Sequence, residues 1–308
     1  MKFIFSFGIF FWLFLFVSCK NDNPRQEFYD NGNLKSEIFY QDSLKNGLAK
    51  EFYENGVLKR EVLYKNDRKE GLEKEYYKSG TLAAEYPYEN GYISGKVRRY
   101  HENGKLSFEA LFEKNKQIEF GKYFEASGEH ATDGSYKDIR DGYPYEWVKI
   151  DNQIWINDNM NFATASGSVC MQCNTWGRLY NFEMAKISCP SSFHLPSISD
   201  YKTLFDYAGK KPGFKLKAGV SWDAVKTFND FGNGSDDFGF SAEASGAHFA
   251  KSNVAIKDRK FKYAGKRAYF WTAEGKVVVF YHNRDDYSIE NFNPEYGASV
   301  RCVMDFKE

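Results

Sequence analysis

The sequence of 308 residues has no charge excess, with 42 Lys and Arg against 42 Asp and Glu. A general nucleic-acid binder needs a basic surplus to neutralise phosphates, so that class is set aside. Proline is scarce, 7 in all, while aromatics reach 19%. A disordered tract has the opposite bias. Aromatic side chains pack well on pleated surfaces, so the composition suits sheets. No His-Glu-x-x-His, Gly-x-Ser-x-Gly or Walker sequence occurs, which removes common metalloprotease, serine-hydrolase and nucleotide-binding signatures. The histidines (101, 130, 194, 248 and 282) form no metal pattern. The apolar run from Phe3 to Val17 is short of the ~20 residues a transmembrane helix needs.

That run is the right length for a signal segment. Met1-Lys2 supplies a positive start, and the run ends in Phe16-Val17-Ser18-Cys19. A small residue followed at once by Cys resembles the bacterial lipobox. The resemblance implies cleavage before Cys19, acylation of Cys19, and outer-membrane anchoring with the protein on the cell surface or in the periplasm. A plain secretory signal and an uncleaved anchor are the alternatives. Residues 20–27 are then a tether, and Lys20-Asn21-Asp22-Asn23-Pro24 resembles the surface-export signals of Bacteroidota lipoproteins. In an exported chain the four remaining cysteines, Cys170, Cys173, Cys189 and Cys302, point to disulfides.

Residues 28–130 repeat. Gly32, Gly56, Gly80 and Gly104 are spaced by 24, and Gly128 marks a decayed fifth copy. Gly47, Gly71 and Gly95 keep the same spacing. Asn-Gly flanked by alternating apolar residues signals a hairpin in which both central residues take positive φ. Leu34, Ile38 and Tyr40 lie on one strand face, as do their equivalents 24 residues on. One hairpin cannot bury such a face alone, so an elongated antiparallel sheet growing hairpin by hairpin is expected. Glu37, Glu61, Glu85 and Glu109 form a column on the opposite face. Lys35, Lys50, Lys59 and Lys74 are the cations to neutralise it. The column reads as a solvated ladder of alternating charge, with a ligand-binding stripe as the alternative. The Tyr-x-Asn-Gly-x-Leu unit resembles the MORN repeat variant.

Residues 131–145 lose the period and carry Gly, Asp and Pro clusters, the signature of a linker. Residues 146–308 form a second unit. Strands are expected around Trp147–Ile150 and Gln153–Ile156, a helix over Leu179–Ile187 stopped by Pro190, and a second helix capped by Ser197 or Ser199 and ended by Gly209. Later strands fall at Tyr269–Thr272, Lys276–Tyr281 and Ala298–Val303. Several blocks occur here in order: Asn152-Gln153-x-Trp155, Asn159-x-Asn161, Gly177-Arg178-Leu179-Tyr180, Cys189-Pro190, His194-Leu195-Pro196-Ser197, Asp236-x-Phe238-Gly239-Phe240-Ser241-Ala242, Phe270-Trp271-Thr272 and Ser299-Val300-Arg301-Cys302. They resemble the Fibrobacter succinogenes major paralogous domain. The resemblance implies a C-type-lectin-like, α+β module with two helices and a small mixed sheet, related in fold to formylglycine-generating enzymes.

Cys170 and Cys173 read as a local disulfide, with zinc and redox roles as alternatives. Cys189 with Cys302 would staple the first helix to the terminal strand, as a lectin-like fold does. Asp236 and Asp237 read as a turn, while the lectin resemblance raises calcium as a possible cofactor. His194 reads as a packed, hydrogen-bonded residue. Trp222, Tyr263, Tyr269 and Tyr281 are the candidate contact aromatics, with a place in the core as the alternative for most of them, and the loops between Lys210 and Lys266 are the expected variable surface. The expected function is a non-catalytic envelope lipoprotein whose repeat stalk presents a lectin-like module to a glycan or protein, with no nucleic-acid partner. A repeat-mediated scaffold or antitoxin-type interaction protein and a degenerate formylglycine-type enzyme are the alternatives.

Overall fold

The computed structural model describes residues 24–170, 172–224, 232–249 and 261–306. The apolar leader and Cys19 lie outside the described residues.

The repeats build one antiparallel sheet. Its strands are β1 (Arg25–Phe28), β2 (Leu34–Gln41), β3 (Leu44–Phe52), β4 (Leu58–Lys65), β5 (Arg68–Tyr76), β6 (Leu82–Glu89), β7 (Tyr92–Ile93), β8 (Gly95–Tyr100), β9 (Leu106–Glu113), β10 (Lys116–Gln117) and β11 (Lys122–Tyr123). Two kinds of turn alternate, and the left-handed pair falls at the end opposite to the expected one. Asp42-Ser43, Asn66-Asp67, Asn90-Gly91 and Lys114-Asn115 have positive φ at both residues, the type I′ pattern. At the Asn-Gly turns only the glycine does, as at Gly32 and Gly56. There Gly32 N–H donates to the Tyr29 carbonyl (2.9 Å). The Asn31 side chain is occupied elsewhere: its oxygen accepts from Asn33 N and its amide donates to the Glu54 carbonyl one repeat on. This is a type I turn closed by a left-handed glycine.

The repeats are stitched by side chains as well as by strand pairing. The hydroxyls of Tyr29, Tyr53 and Tyr77 donate to the carbonyls of Phe52, Tyr76 and Tyr100 at 2.7–2.8 Å. His101 takes the fourth place, 2.8 Å from the Phe124 carbonyl. The strand register sets the charge column. Glu37 faces Lys50, which faces Glu61, and the row continues through Lys74, Glu85, Arg98, Glu109 and Lys122. Lys35 and Lys59 do not join it, and their ammonium groups lie over the rings of Tyr29 and Tyr53. The other face buries Ala49, Val62, Ala84, Val97 and Ala110. Glu73 interrupts that series at the place of Ala49 and Val97. Lys69 bonds it, and Arg60 lies 3.8 Å away.

The segment expected as a linker is structured. Strand β12 (Asp133–Lys137) pairs with β13 (Pro144–Ile150), which continues to β14 (Gln153–Ile156) and, across the chain, to the terminal strand. The turn between β12 and β13 is fixed by chemistry that a Gly/Asp/Pro count does not register. Arg140 bonds the buried Asp138 and donates to the carbonyls of Ile187, Ser188 and Cys189. Those are the orphan acceptors of a helix C-terminus, where a cation is favoured.

Next come β15 (Ser168–Val169), α1 (Cys173–Trp176), β16 (Leu179–Tyr180), α2 (Phe182–Ser188), α3 (Ile198–Ala208) and α4 (Pro212–Leu216). Helix α2 starts later than expected. Leu179 and Tyr180 pair with β15, and Asn181 caps the helix by accepting from Met184 N. Helix α3 matches expectation: Ser197 and Asp200 form a capping box and Gly209 ends it. The remaining strands are β17 (Ala247–His248), β18 (Phe261–Lys262), β19 (Arg267–Trp271), β20 (Lys276–Tyr281), β21 (Tyr287–Asn291) and β22 (Val303–Asp305). The sheet β19–β20–β21 is antiparallel, and parallel pairing enters through isolated bridges such as Phe270 to Ser299. Both faces of β20 are buried. Val277 and Val279 enter one core with Trp147 and Trp271, while Val278 and Phe280 enter a second with Trp155, Phe205 and Phe240. Hence Val-Val-Val-Phe-Tyr is continuously apolar instead of alternating. Both expected disulfides are present, Cys170–Cys173 and Cys189–Cys302, with Cα separations of 5.4 and 5.7 Å.

Candidate functional site

Where the end of the repeat sheet meets the four-stranded sheet, a cavity of about 310 Å3 opens. This is the size of a small-ligand site. The repeat side supplies Phe120, Lys122 and Tyr123; the other side supplies Trp147, His194 and Phe306. Local bonds hold these walls together. Phe120 N donates to Ser192 Oγ (3.0 Å), and its ring stands edge-on to Trp147 (5.5 Å) and Phe193 (5.2 Å). Trp147 lies against Gly134 on β12, where a Cβ would fall 2.9 Å from the indole. A side chain at 134 would displace it. The Trp147 indole N–H is buried and has no hydrogen-bond partner among the described residues. Such a donor is costly to leave unmade. His130 stacks on Phe124 (4.6 Å) and meets Phe306 edge-on (5.1 Å), and the Lys149 ammonium sits 3.7 Å over Phe306.

The His-Leu-Pro-Ser stretch delivers a titratable ring to this cavity. His194 pairs with Val303 through both backbone groups. Its Nε2 is 3.3 Å from Asp200 Oδ2, the same oxygen that accepts from Ser197 N and Oγ. The bond to Asp200 raises the His194 pKa above its ordinary value. Burial pushes Asp200 up, but the bonds from His194 and Ser197 outweigh it and hold the carboxyl low. His194 is thus hydrogen-bonded as expected, yet its side chain is half exposed rather than packed away.

Two known families match the chain. The Fibrobacter succinogenes major domain covers residues 148–304, just over half of it. The chain belongs to the Fibrobacter succinogenes major domain family. The MORN repeat variant matches at 22–42, 45–66, 69–90 and 93–114. No curated protein matches the chain. The cavity therefore straddles the family boundary. Ile154, Ser192, His194 and Met304 belong to the major domain, whereas Phe120 to Tyr123, His130 and Trp147 come from the segment that neither family covers.

Within the major domain the sequence blocks converge on Arg301, which is fully buried. It donates to Asn159 Oδ1 (2.8 Å), to the carbonyls of Phe240 (2.6 Å) and Ser241 (2.7 Å), and to that of Asn157. Phe240 and Phe270 lie 5.1 and 5.4 Å from the guanidinium. Burial lowers its pKa. The Asn159, Phe238–Ala242 and Val300–Cys302 blocks are thus one structural pin rather than a ligand site. Lys217 is a second buried cation. Its Nζ donates to the carbonyls of Gly232, Tyr281 and Arg284 at 3.0–3.2 Å, and burial lowers its pKa to about 8. A lysine with such a pKa is a candidate for chemistry, but this one is sealed from solvent.

The candidate contact aromatics need correction. Trp222, Tyr269 and Tyr281 are buried. Trp222 Nε1 donates to the Ala242 carbonyl, Tyr269 stacks on Phe292, and Tyr281 bonds Ser288 and Glu290. Only Tyr263 is exposed, at 40%. Tyr269 on β19 and Tyr281 on β20 are buried because both faces of this sheet are covered, which the sequence does not reveal. Asp236 is occupied in a turn: it has positive φ, and its carboxylate accepts from the Ser241 N–H and hydroxyl. No group of three metal-ligating side chains occurs among the described residues. Of the loops between Lys210 and Lys266, residues 225–231 and 250–260 lie outside the described residues. The cavity is not built from that span.

Proposed function

We propose that the protein is an exported, lipid-anchored and non-catalytic binding protein that holds a glycan segment in the cavity between its repeats and its major domain. The lipobox-like Phe16-Val17-Ser18-Cys19 supports the anchor. The two disulfides fit an oxidising compartment. They also engage Cys170, Cys173, Cys189 and Cys302, so no free thiol stands among the described residues for formylglycine-type chemistry. One observation carries the reading: the aromatic rings of Phe120, Tyr123, Trp147 and Phe306 wall a cavity that also holds His194, Lys122 and Asp305. Aromatic rings cover the apolar face of a sugar, and the polar groups reach its hydroxyls. Binding to an oligosaccharide array tests it. The full chain should bind a subset of glycans and quench Trp fluorescence, and Trp147→Phe should weaken binding about tenfold by shrinking an aromatic wall on which a sugar stacks. An array on which wild type and Trp147→Phe give the same signals ends the proposal. Loss of membrane association in Cys19→Ala tests the anchor separately. A scaffold role through the repeats is favoured by the open face of their sheet.

A further inference from the structure

One face of the repeat sheet carries two rows side by side. The first is the charge ladder from Glu37 to Lys122. The second runs two residues along each strand, where Leu48 faces Leu63, Leu72 faces Pro87 and Lys96 faces Leu111. Residues two apart share a strand face, so both rows look the same way. Leu48, Leu63 and Leu72 are 38%, 45% and 46% exposed. The four-stranded sheet meets the repeats from the other side: Trp147 packs on the ring of Tyr123, which packs on Phe108, its partner on the face opposite the ladder. An aliphatic row left open beside a charged one marks an interaction surface.

The order of signs says what fits it. The ladder has four acidic and four basic members in strict alternation, acidic at the β2 end and basic at the β11 end. An alternating row of even length is its own complement when reversed. Consider a two-fold axis parallel to the strands, between two facing sheets and midway between Lys74 and Glu85. It reverses the strand order and keeps the position along each strand. Ladder then meets ladder with opposite charges throughout: Lys74 opposite Glu85 of the second copy, Glu61 opposite Arg98, Lys50 opposite Glu109. The same operation lays the aliphatic rows on each other, with Leu72 on Pro87, Leu48 on Leu111, and Leu63 on the stem of Lys96, whose head stays on Glu109. A slip by one strand puts like charges together and is repelled.

We propose that the protein forms an antiparallel, face-to-face dimer through this surface of the repeat sheet. Such isologous contacts are the commonest way to pair identical chains, and twisted sheets pack face to face at a modest angle. Eight strands at about 4.8 Å spacing span about 34 Å. Two rows of that length bury on the order of 1,000 Å2, the low end of specific interfaces. The dimer is therefore concentration-dependent, and its exposed ion pairs make it salt-sensitive. It does not depend on the glycan reading: of the ladder only Lys122, its last member, lines the cavity, and none of the pairs named above includes it.

Sedimentation of the chain from Lys20 to Glu308, which keeps every described element, tests the pairing. The expected result is a monomer–dimer equilibrium that tightens at low salt. Leu63→Lys sets a cation opposite Lys96 of the second copy and should weaken it at least about tenfold. At concentrations where wild type is monomeric the melting curve should stay unchanged, because the site is exposed. The register has its own test. Lys50→Cys and Glu109→Cys proteins, mixed and treated with a short bis-maleimide, should cross-link only with each other. A monomer at every concentration, a dimer indifferent to Leu63→Lys, or cross-linking of either cysteine variant alone each overturns the proposal.

Discussion

The repeat sheet and the major domain hold themselves together over different ranges of chain. In the repeats, the tyrosine hydroxyls reach 23 residues, one repeat away, and the same bond recurs. In the major domain, Arg301 reaches 142 residues back to Asn159, and Cys189–Cys302 closes a separation of 113. Contacts of the first kind sum over neighbours. Those of the second kind form only when distant segments are already in place, so the domain should unfold as a unit. Every tryptophan beyond the leader lies between Trp147 and Trp271, so their fluorescence reports on that half alone.

The sharpest way to break the contrast is Arg301→Met. It leaves the carbonyls of Phe240, Ser241 and Asn157 and the Asn159 oxygen without their shared donor. A loss of about 3–5 kcal/mol is expected. In urea the tryptophan signal should collapse early while far-ultraviolet circular dichroism keeps the sheet of the repeats. Next is the long disulfide. Cys189→Ala with Cys302→Ala should cost on the order of 4 kcal/mol, whereas Cys170→Ala with Cys173→Ala, closing a short loop, should cost about 1.5 kcal/mol. Equal losses from the two pairs would show that loop length is not what the long bridge contributes.

Lys217 adds a pH test confined to the major domain. Its pKa is about 8 in the fold against 10.5 in the free side chain. Between those values the unfolded chain binds more protons than the folded one, so stability rises with pH. From pH 8 to 9 the gain should be about 1 kcal/mol. Above pH 9 the tyrosines work in the opposite sense. Burial raises Tyr123 and Tyr136 to about 12, so the unfolded chain loses their protons first. Urea melts at pH 8 and pH 9 read by tryptophan fluorescence should show the rise in wild type and none in Lys217→Met.

What the sequence discloses follows the same division. The 24-residue period, the hairpins, the ladder and the Ser197 cap are written locally and are legible. The Cys170–Cys173 bridge was legible from its spacing, while the Cys189–Cys302 pair was what the lectin-like resemblance implied. The left-handed turn was misplaced because the Asn31 and Asn55 side chains bond forward along the repeats, which no dipeptide rule includes. Arg301 entered the sequence reading only as part of the Ser299-Val300-Arg301-Cys302 block, with no role attached. Only the fold shows four acceptors converging on it. The cavity draws on four stretches of chain, so it has no local signature. The one available hint was aromatic density in the decayed fifth copy, where Phe120 and Tyr123 stand outside the repeat pattern.

The smallest expected effect tests the contrast most finely. Tyr53→Phe removes only the hydroxyl that donates to the Tyr76 carbonyl and should cost about 1 kcal/mol. Tyr29→Phe and Tyr77→Phe remove the same bond elsewhere in the array. If neighbouring repeats couple only through their interfaces, the Tyr29/Tyr77 double variant should lose the sum of the single losses to within about 0.5 kcal/mol. Asn159→Ala with Arg301→Met should not be additive, because the second change removes a donor whose partner is already gone. Chemical denaturation followed by far-ultraviolet circular dichroism for the first pair and by tryptophan fluorescence for the second measures both. Strong coupling between Tyr29 and Tyr77 would mean that the repeats, like the major domain, fold as one cooperative body.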